Sequence, residues 1–213
     1  MIKERIIGYI EQSISGNWEI EALSNYREKG YTYKDIAEKI LKFHIFFRES
    51  GLREGDKIAL VGRNAANWCV VYLASITYGA VIVPILPDFK PDDLTNLINH
   101  SDATLLFIDE KIYETLEQNK IPAINFVVSL EDFSIITAAI QSSKESYQSL
   151  DEKFAKAYPV LNKEDIKFSD IGNDKLAVIS YTGGTTGFSK GVMLSHGSLS
   201  ANVRFAQTHM PLK

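Results

Sequence analysis

Asn64-Ala65-Ala66-Asn67-Trp68-Cys69-Val70-Val71-Tyr72-Leu73-Ala74-Ser75-Ile76-Thr77-Tyr78-Gly79-Ala80-Val81-Ile82-Val83-Pro84-Ile85-Leu86-Pro87 contains no charged residue. As one helix it would be long enough to cross roughly 30 Å of hydrocarbon. Gly79 and Pro84 interrupt it, however, and the part after the glycine is β-branched, which suits a pleated surface. The stretch therefore predicts two elements. A helix over 66–78 ends at Gly79, a residue that readily takes the left-handed conformation of a helix stop. It feeds a strand over 80–85 that is apolar on both faces, as strands inside parallel sheets are.

The same alternation extends outward from this unit. Tyr33-Lys34-Asp35 opens a predicted helix whose apolar positions Ile36, Ile40, Phe43 and Phe47 recur three or four residues apart, and Gly51 follows it. Strand 57–61 comes next. Pro91-Asp92-Asp93 has the proline and acids of a first helical turn, leading to a helix that ends near His100. Strand 104–108, a helical stretch 113–118 and strand 125–128 complete the series. Strands separated by helices predict βαβ crossovers and a doubly wound, mostly parallel sheet with flanking helices, an α/β fold. From Gln141 to Asp174 the texture turns to Ser, Lys, Glu and Asp, with helical spacing only in Tyr147, Leu150 and Phe154, which reads as a polar connector.

Composition bounds the function. The 213 residues carry 23 Lys and Arg against 27 Asp and Glu, a net charge of −4. That balance offers no basic field for a nucleic-acid backbone, so nucleic acid is not an expected partner. One cysteine, Cys69, excludes an internal disulfide framework and suits a reducing compartment, so a cytoplasmic location is expected. The first residues hold Lys3, Glu4, Arg5 and Glu11 and do not form the apolar core of a signal peptide. Without export, Asn99-His100-Ser101 is a chance glycosylation pattern.

Chemistry concentrates in Leu176-Ala177-Val178-Ile179-Ser180-Tyr181-Thr182-Gly183-Gly184-Thr185-Thr186-Gly187-Phe188-Ser189-Lys190-Gly191-Val192-Met193-Leu194-Ser195-His196. Four glycines, three threonines and a lysine fall within residues 182–191, directly after a predicted strand. Glycines let successive backbone N–H groups converge on an anion. Threonine hydroxyls add donors and metal oxygens, and Lys190 adds a mobile charge suited to a polyphosphate. Residues 181–213 contain Lys190, Arg204 and Lys213 and no acid, in a chain that is acidic overall. A Walker loop would run from Lys-Ser/Thr straight into a helix, whereas here Ser189 precedes the lysine and a β-like Gly191-Val192-Met193-Leu194 follows it. No dinucleotide G-x-G-x-x-G occurs in this window. A plain surface turn would have no use for this loop's length and chemistry. Ser195 is the expected N-cap of a helix through Leu199, Val203 and Ala206.

Residues 181–192 resemble the AMP-binding signature of adenylate-forming enzymes, among them acyl-CoA synthetases, firefly luciferases and peptide-synthetase adenylation domains. Thr32-Tyr33, Gly55-Asp56-Lys57-Ile58-Ala59, Arg63-Asn64-Ala65-Ala66-Asn67-Trp68, Leu73-Ala74, Gly79-Ala80-Val81-Ile82-Val83-Pro84 and His100-Ser101-Asp102-Ala103 are similar in kind and order to the N-terminal part of acyl-CoA synthetases. Gly183 stands where the family usually has Ser, and Ser189 where it usually has Pro. The segment 191–197 looks most like long-chain fatty acid ligases.

The resemblance implies an N-terminal portion of an ATP-dependent acyl-CoA ligase: about 30–140 a βαβ core, 141–174 a connector, and 175–213 the strand, loop and helix of a phosphate site. The acyl pocket, the C-terminal domain and the principal catalytic lysine would lie outside these residues, leaving the fragment inactive alone. It further implies that Gly183, Gly184, Thr185, Thr186 and Gly187 hold the β- and γ-phosphates of ATP, that Lys190 neutralises them, and that Thr182 offers an oxygen to Mg²⁺. The intact protein would join a carboxylic acid to CoA through an acyl-adenylate. A non-enzymatic nucleotide- or anion-binding α/β module is the alternative. Among other residues, His196 is expected to cap or pack near the loop, Cys69 to lie in the core, and Trp68 and Tyr72 to pack on each other at i and i+4.

Overall fold

The computed structural model describes residues 4–139, 141–182 and 190–210, without the side chains of 141–143. The chain begins with helix α1 (Ile6–Gly16) and a small antiparallel pair, β1 (Glu21–Leu23) with β2 (Tyr31–Thr32). Helix α2 (Tyr33–Glu49) starts where the sequence places it, because Thr32 accepts from the Asp35 backbone N–H while Asp35 accepts from the Thr32 N–H. This reciprocal arrangement satisfies two amides that the first turn would otherwise leave open. Strand β3 (Lys57–Val61), helix α3 (Ala66–Tyr78) and strand β4 (Val81–Ile85) follow. Gly79 ends α3 at φ 94°, and its N–H returns to the Ser75 carbonyl. The uncharged stretch is thus one helix and one strand, and among the described residues no helix is long and apolar enough to cross a membrane.

Helix α4 (Pro91–His100) leads to β5 (Ala103–Ile108), and a single turn α5 (Glu110–Tyr113) leads to β6 (Phe126–Ser129). The helix predicted over 113–118 is displaced. The Asp109 carboxylate accepts from the Lys111 N–H and fixes the helical start earlier, and only a 3₁₀ turn, Gln118–Lys120, follows. Strand β7 (Ile135–Ala138), helices α6 (Gln141–Gln148) and α7 (Leu150–Ala157), strands β8 (Leu176–Thr182) and β9 (Lys190–Ser195), and helix α8 (His196–His209) complete the chain.

Seven strands form one sheet in the order β7-β6-β5-β3-β4-β8-β9. The five inner strands are parallel, and β7 and β9 are antiparallel edges. The expected doubly wound α/β fold is present. Alternate residues of each inner strand face opposite helical layers, as the two-residue period of a strand requires. Ile58, Leu60, Ile82, Leu105 and Phe107 pack under α2 and α3, while Ala59, Val61, Val83, Leu106 and Ile108 meet Leu94, Leu97 and Ile98 of α4. Leu150 and Phe154 of α7 are buried against the first layer, so the polar connector contributes two anchors to the main core. Trp68 and Tyr72 stack at 5.5 Å as expected, but Cys69 beside them is only half-buried. It sits on the outer side of α3, where burial still pushes its thiol pKa up.

The α2–α3 contact contains a buried polar pair. His44 Nε2 lies 3.1 Å from the Ala74 carbonyl oxygen and 3.0 Å from Thr77 Oγ1. The ring is packed edge-on against Tyr78 and Phe168. Burial pushes its pKa down to about 4, because a charged imidazole would lose its water here. In β4, Pro84 supplies no N–H to the ladder. Strand β8 is registered against β4 at one position among the described residues, Ile82 with Val178. The glycine and threonine loop follows from the carboxyl end of β8.

Candidate functional site

The site is the turn end of the β8–β9 hairpin. Thr182, the last residue of β8, pairs with Lys190, the first of β9. Both side chains are exposed, and Thr182 Oγ1 makes one long contact, 3.5 Å to the Lys190 carbonyl oxygen. Lys190 forms no ion pair among the described residues, so its ammonium is available to an incoming anion. Gly183, Gly184, Thr185, Thr186 and Gly187, the residues expected to hold phosphates, lie outside the described residues.

Beneath the turn the hairpin is anchored. The Tyr181 side chain is buried, and its hydroxyl is 2.7 Å from His100 Nδ1 at the end of α4. Burial pushes the tyrosine pKa up, with the Asp102 carboxylate adding to it, so the hydroxyl stays neutral at ordinary pH. Across the strand, a Cβ on Gly191 would come within 3.0 Å of Ile179 Cγ2 and 3.3 Å of Tyr181 Cε1. A side chain there would press on both neighbours, which would have to give by a few tenths of an ångström, so the glycine lets β9 lie close against the tyrosine ring. The sequence reading passed over Tyr181; the signal was an aromatic just before the threonine with a glycine at the matching position across the turn.

His196 is not near the loop. It follows Ser195, the residue paired with Leu176, whereas the loop leaves from Thr182 and Lys190 at the other end. At roughly 3.4 Å per residue the strand length separates them by about 17 Å. His196 is 1% exposed, and neither ring nitrogen has a hydrogen-bond partner among the described residues. Burial pushes its pKa down, opposed by the Glu54 carboxylate. Ser195 caps α8 by accepting from the Ser198 N–H, as its sequence position predicted.

Thr182 is the residue expected to meet Mg²⁺. Its hydroxyl is exposed, and among the described residues its contact is the long one to the Lys190 carbonyl, which leaves the oxygen free to ligate. Mg²⁺ bound to a nucleotide keeps waters and phosphate oxygens and needs few protein oxygens, so a single hydroxyl fits. Among the described residues no group of three or more His, Cys, Asp or Glu side chains could hold a metal by itself.

Comparison with known proteins places the chain in a family. A family model described as AMP-binding enzyme matches residues 10–212. The chain is 28% identical over 190 residues to a probable chloroplastic acyl-activating enzyme 16 of Arabidopsis thaliana, covering 85% of this chain and 26% of that protein. It is 25% identical over 224 residues to a long-chain-fatty-acid–CoA ligase of Escherichia coli O6:H1, covering 94% of this chain and 38% of the relative. The chain thus spans between about a quarter and two-fifths of the length of these curated relatives. A crystal structure of a long-chain-fatty-acid-CoA ligase from Archaeoglobus fulgidus superposes with a TM-score of 0.72 at 23% identity, covering 96% of this chain and 39% of that one. At that identity the likeness establishes the fold.

Proposed function

Because the chain belongs to the AMP-binding enzyme family, we propose that it forms the phosphate-handling portion of an acyl-CoA ligase that joins a carboxylic acid to CoA through an acyl-adenylate. The observation that supports this most directly is the anchored hairpin, which holds an exposed hydroxyl and an ammonium without an ion pair among the described residues at the two ends of a glycine and threonine loop. Chemistry at the α-phosphate asks the protein mainly to position the triphosphate and offset charge on departing pyrophosphate. In this reading backbone N–H groups and hydroxyls of Gly183, Gly184, Thr185, Thr186 and Gly187 hold the β- and γ-phosphates. Lys190 meets the charge that develops on the leaving oxygens, and Tyr181 positions the strand that carries the loop. Thr182 would contribute an oxygen to Mg²⁺, which when bound supplies Lewis-acid neutralisation of the phosphates.

The acid is a fatty acid in this proposal, with long chains first. Segment 191–197 and the bacterial relative support that choice. The cytoplasm is the proposed location, consistent with a lone cysteine.

The reading is tested on the 213-residue chain itself. With the phosphate loop present and the acyl pocket elsewhere, the chain should bind ATP and GTP weakly and equally, and should catalyse no fatty-acid-dependent pyrophosphate exchange. Strong preference for ATP, or exchange activity, would move the adenine or acyl site into these residues and overturn the division of labour proposed here.

A further inference from the structure

Away from the hairpin, a groove of about 860 Å³ opens between α2, the β6–β7 turn and helices α6 and α7. Lys39 projects into it from α2, half-buried, with its Nζ 4.5 Å from the centre of the Tyr31 ring and 5.6 Å from that of Phe133. The sequence would pair this lysine with Asp35, one helical turn before it. The structure diverts that carboxylate: Asp35 caps α2 through the Thr32 N–H and hydroxyl. The other carboxylates on the groove wall are also engaged. Lys42 takes Glu38 at 2.8 Å and Asp151 at 2.7 Å, and Asp132 accepts from the Ser134 N–H. Among the described residues, Lys39 is left without an ion pair in a cavity wide enough for a small molecule. Its neighbours Lys29 and Lys144 add positive charge to the same walls.

We propose that Lys39 is an acylation site, taking an acyl group from a small activated donor, an acyl phosphate or an acyl thioester, that enters this groove. The neutral Nζ attacks the donor carbonyl carbon and an N–C bond forms. The C–O bond to phosphate or the C–S bond to the thiol breaks, and the leaving group takes the bonding pair. The proton lost from nitrogen goes to the leaving group or to water, and nothing is oxidised or reduced. Burial and then repulsion from Lys42 push the Lys39 pKa down, which raises the share of reactive amine. The product amide has no charge, so the groove wall loses one of its cations. This inference is independent of the ligase reading.

The test is site-resolved mass spectrometry on the purified chain treated separately with acetyl phosphate and acetyl-CoA. Lys34, exposed five residues earlier on the same helix, and exposed Lys111 and Lys156 serve as references. Acetylation at Lys39 several-fold faster than at Lys34 is expected, and the donor that produces it identifies the source. A Lys39 rate at or below that of Lys34 with both donors overturns the proposal. Lys42→Met supplies the second arm. It releases Glu38 and Asp151 to pair with Lys39, and should bring the Lys39 rate down to the Lys34 rate while Lys111 is unaffected. An undiminished Lys39 rate in that variant would remove the pairing pattern as the cause and with it the proposal.

Discussion

The two ends of the β8–β9 hairpin are built in opposite ways. At the turn end Thr182 and Lys190 stand in water with little to hold them, above a tyrosine locked to α4. At the far end His196 is buried, its N–H bonds the Lys175 carbonyl, and a Cβ on Gly197 would come within 2.9 Å of the Asn173 carbonyl oxygen. The polar groups at the turn end face solvent, where lacking a protein partner costs little, while the far end is closed by packing. Lys190 at one end and His196 at the other are six residues apart in sequence and separate in space. Binding and stability should therefore fail independently.

The largest effect expected from breaking this division is at the turn. In a protein of the relatives' full length, Lys190→Ala should slow adenylate formation by about 10² to 10³, or 2.7–4 kcal/mol, the usual loss for one charge-stabilising group. Transfer from a preformed adenylate to CoA should be nearly unchanged, since the triphosphate is then gone. Equal losses in both half-reactions would make Lys190 structural.

Next comes acidification, which should act on the closed interior and leave the turn alone. The ordinary histidine value of 6.5 falls to about 4 for His44 in the folded chain. Between these values the unfolded chain binds the extra proton, so stability is intact above pH 6.5 and lost as pH falls toward 4. The full loss is about 3 kcal/mol, with His196 adding in the same direction. Urea unfolding across that window is the measurement; a flat profile, or one no shallower in His44→Gln, would rule out the histidine.

Gly197→Ala tests the far end. Its methyl would press on a backbone carbonyl that cannot swing away, and a loss of about 2 kcal/mol is expected, mid-range for overpacking. Triphosphate binding measured in the folded variant should be unaltered. A variant that binds less but unfolds normally would mean the two ends communicate.

The smallest expected change sharpens the picture of the anchor. Tyr181→Phe removes the hydroxyl bonded to His100 and should cost about 1 kcal/mol in stability, the usual net contribution of one hydrogen bond. Thermal unfolding reads this directly, and no change would show that packing of the ring alone fixes the turn.

Where these features were legible in the sequence, a local signal agreed with the tertiary outcome. Gly79 separated α3 from β4, Pro91 with two acids opened α4, and Ser195 capped α8. The loop's residue types point to an anion site, and residues 183–189 lie outside the described residues. Other features depended on distant partners. Helix α1 carries Ile6, Ile7, Ile10 and Ile14 at helical spacing, but its burial depends on Ile171 and α8. The antiparallel edges β7 and β9 have no direction written in their composition. His196 packs as expected, but at the far end of a six-residue strand from the loop, because nearness along the chain is not nearness in space.

The strand order also bears on the order of assembly. Strands β3 to β6 are close along the chain and can pair through short closures, whereas β8 must return past the whole β5–α7 excursion to reach β4. Longer closures cost more chain entropy and slow the contacts that need them. The β8–β9 hairpin therefore docks after β3 to β6 have paired. During synthesis the ribosome releases residues 57–129 well before 176–195, which enforces the same sequence of events. The glycine and threonine loop is thus mounted on a finished platform, and a chain caught halfway would already hold most of its core while the hairpin that carries the loop had yet to arrive.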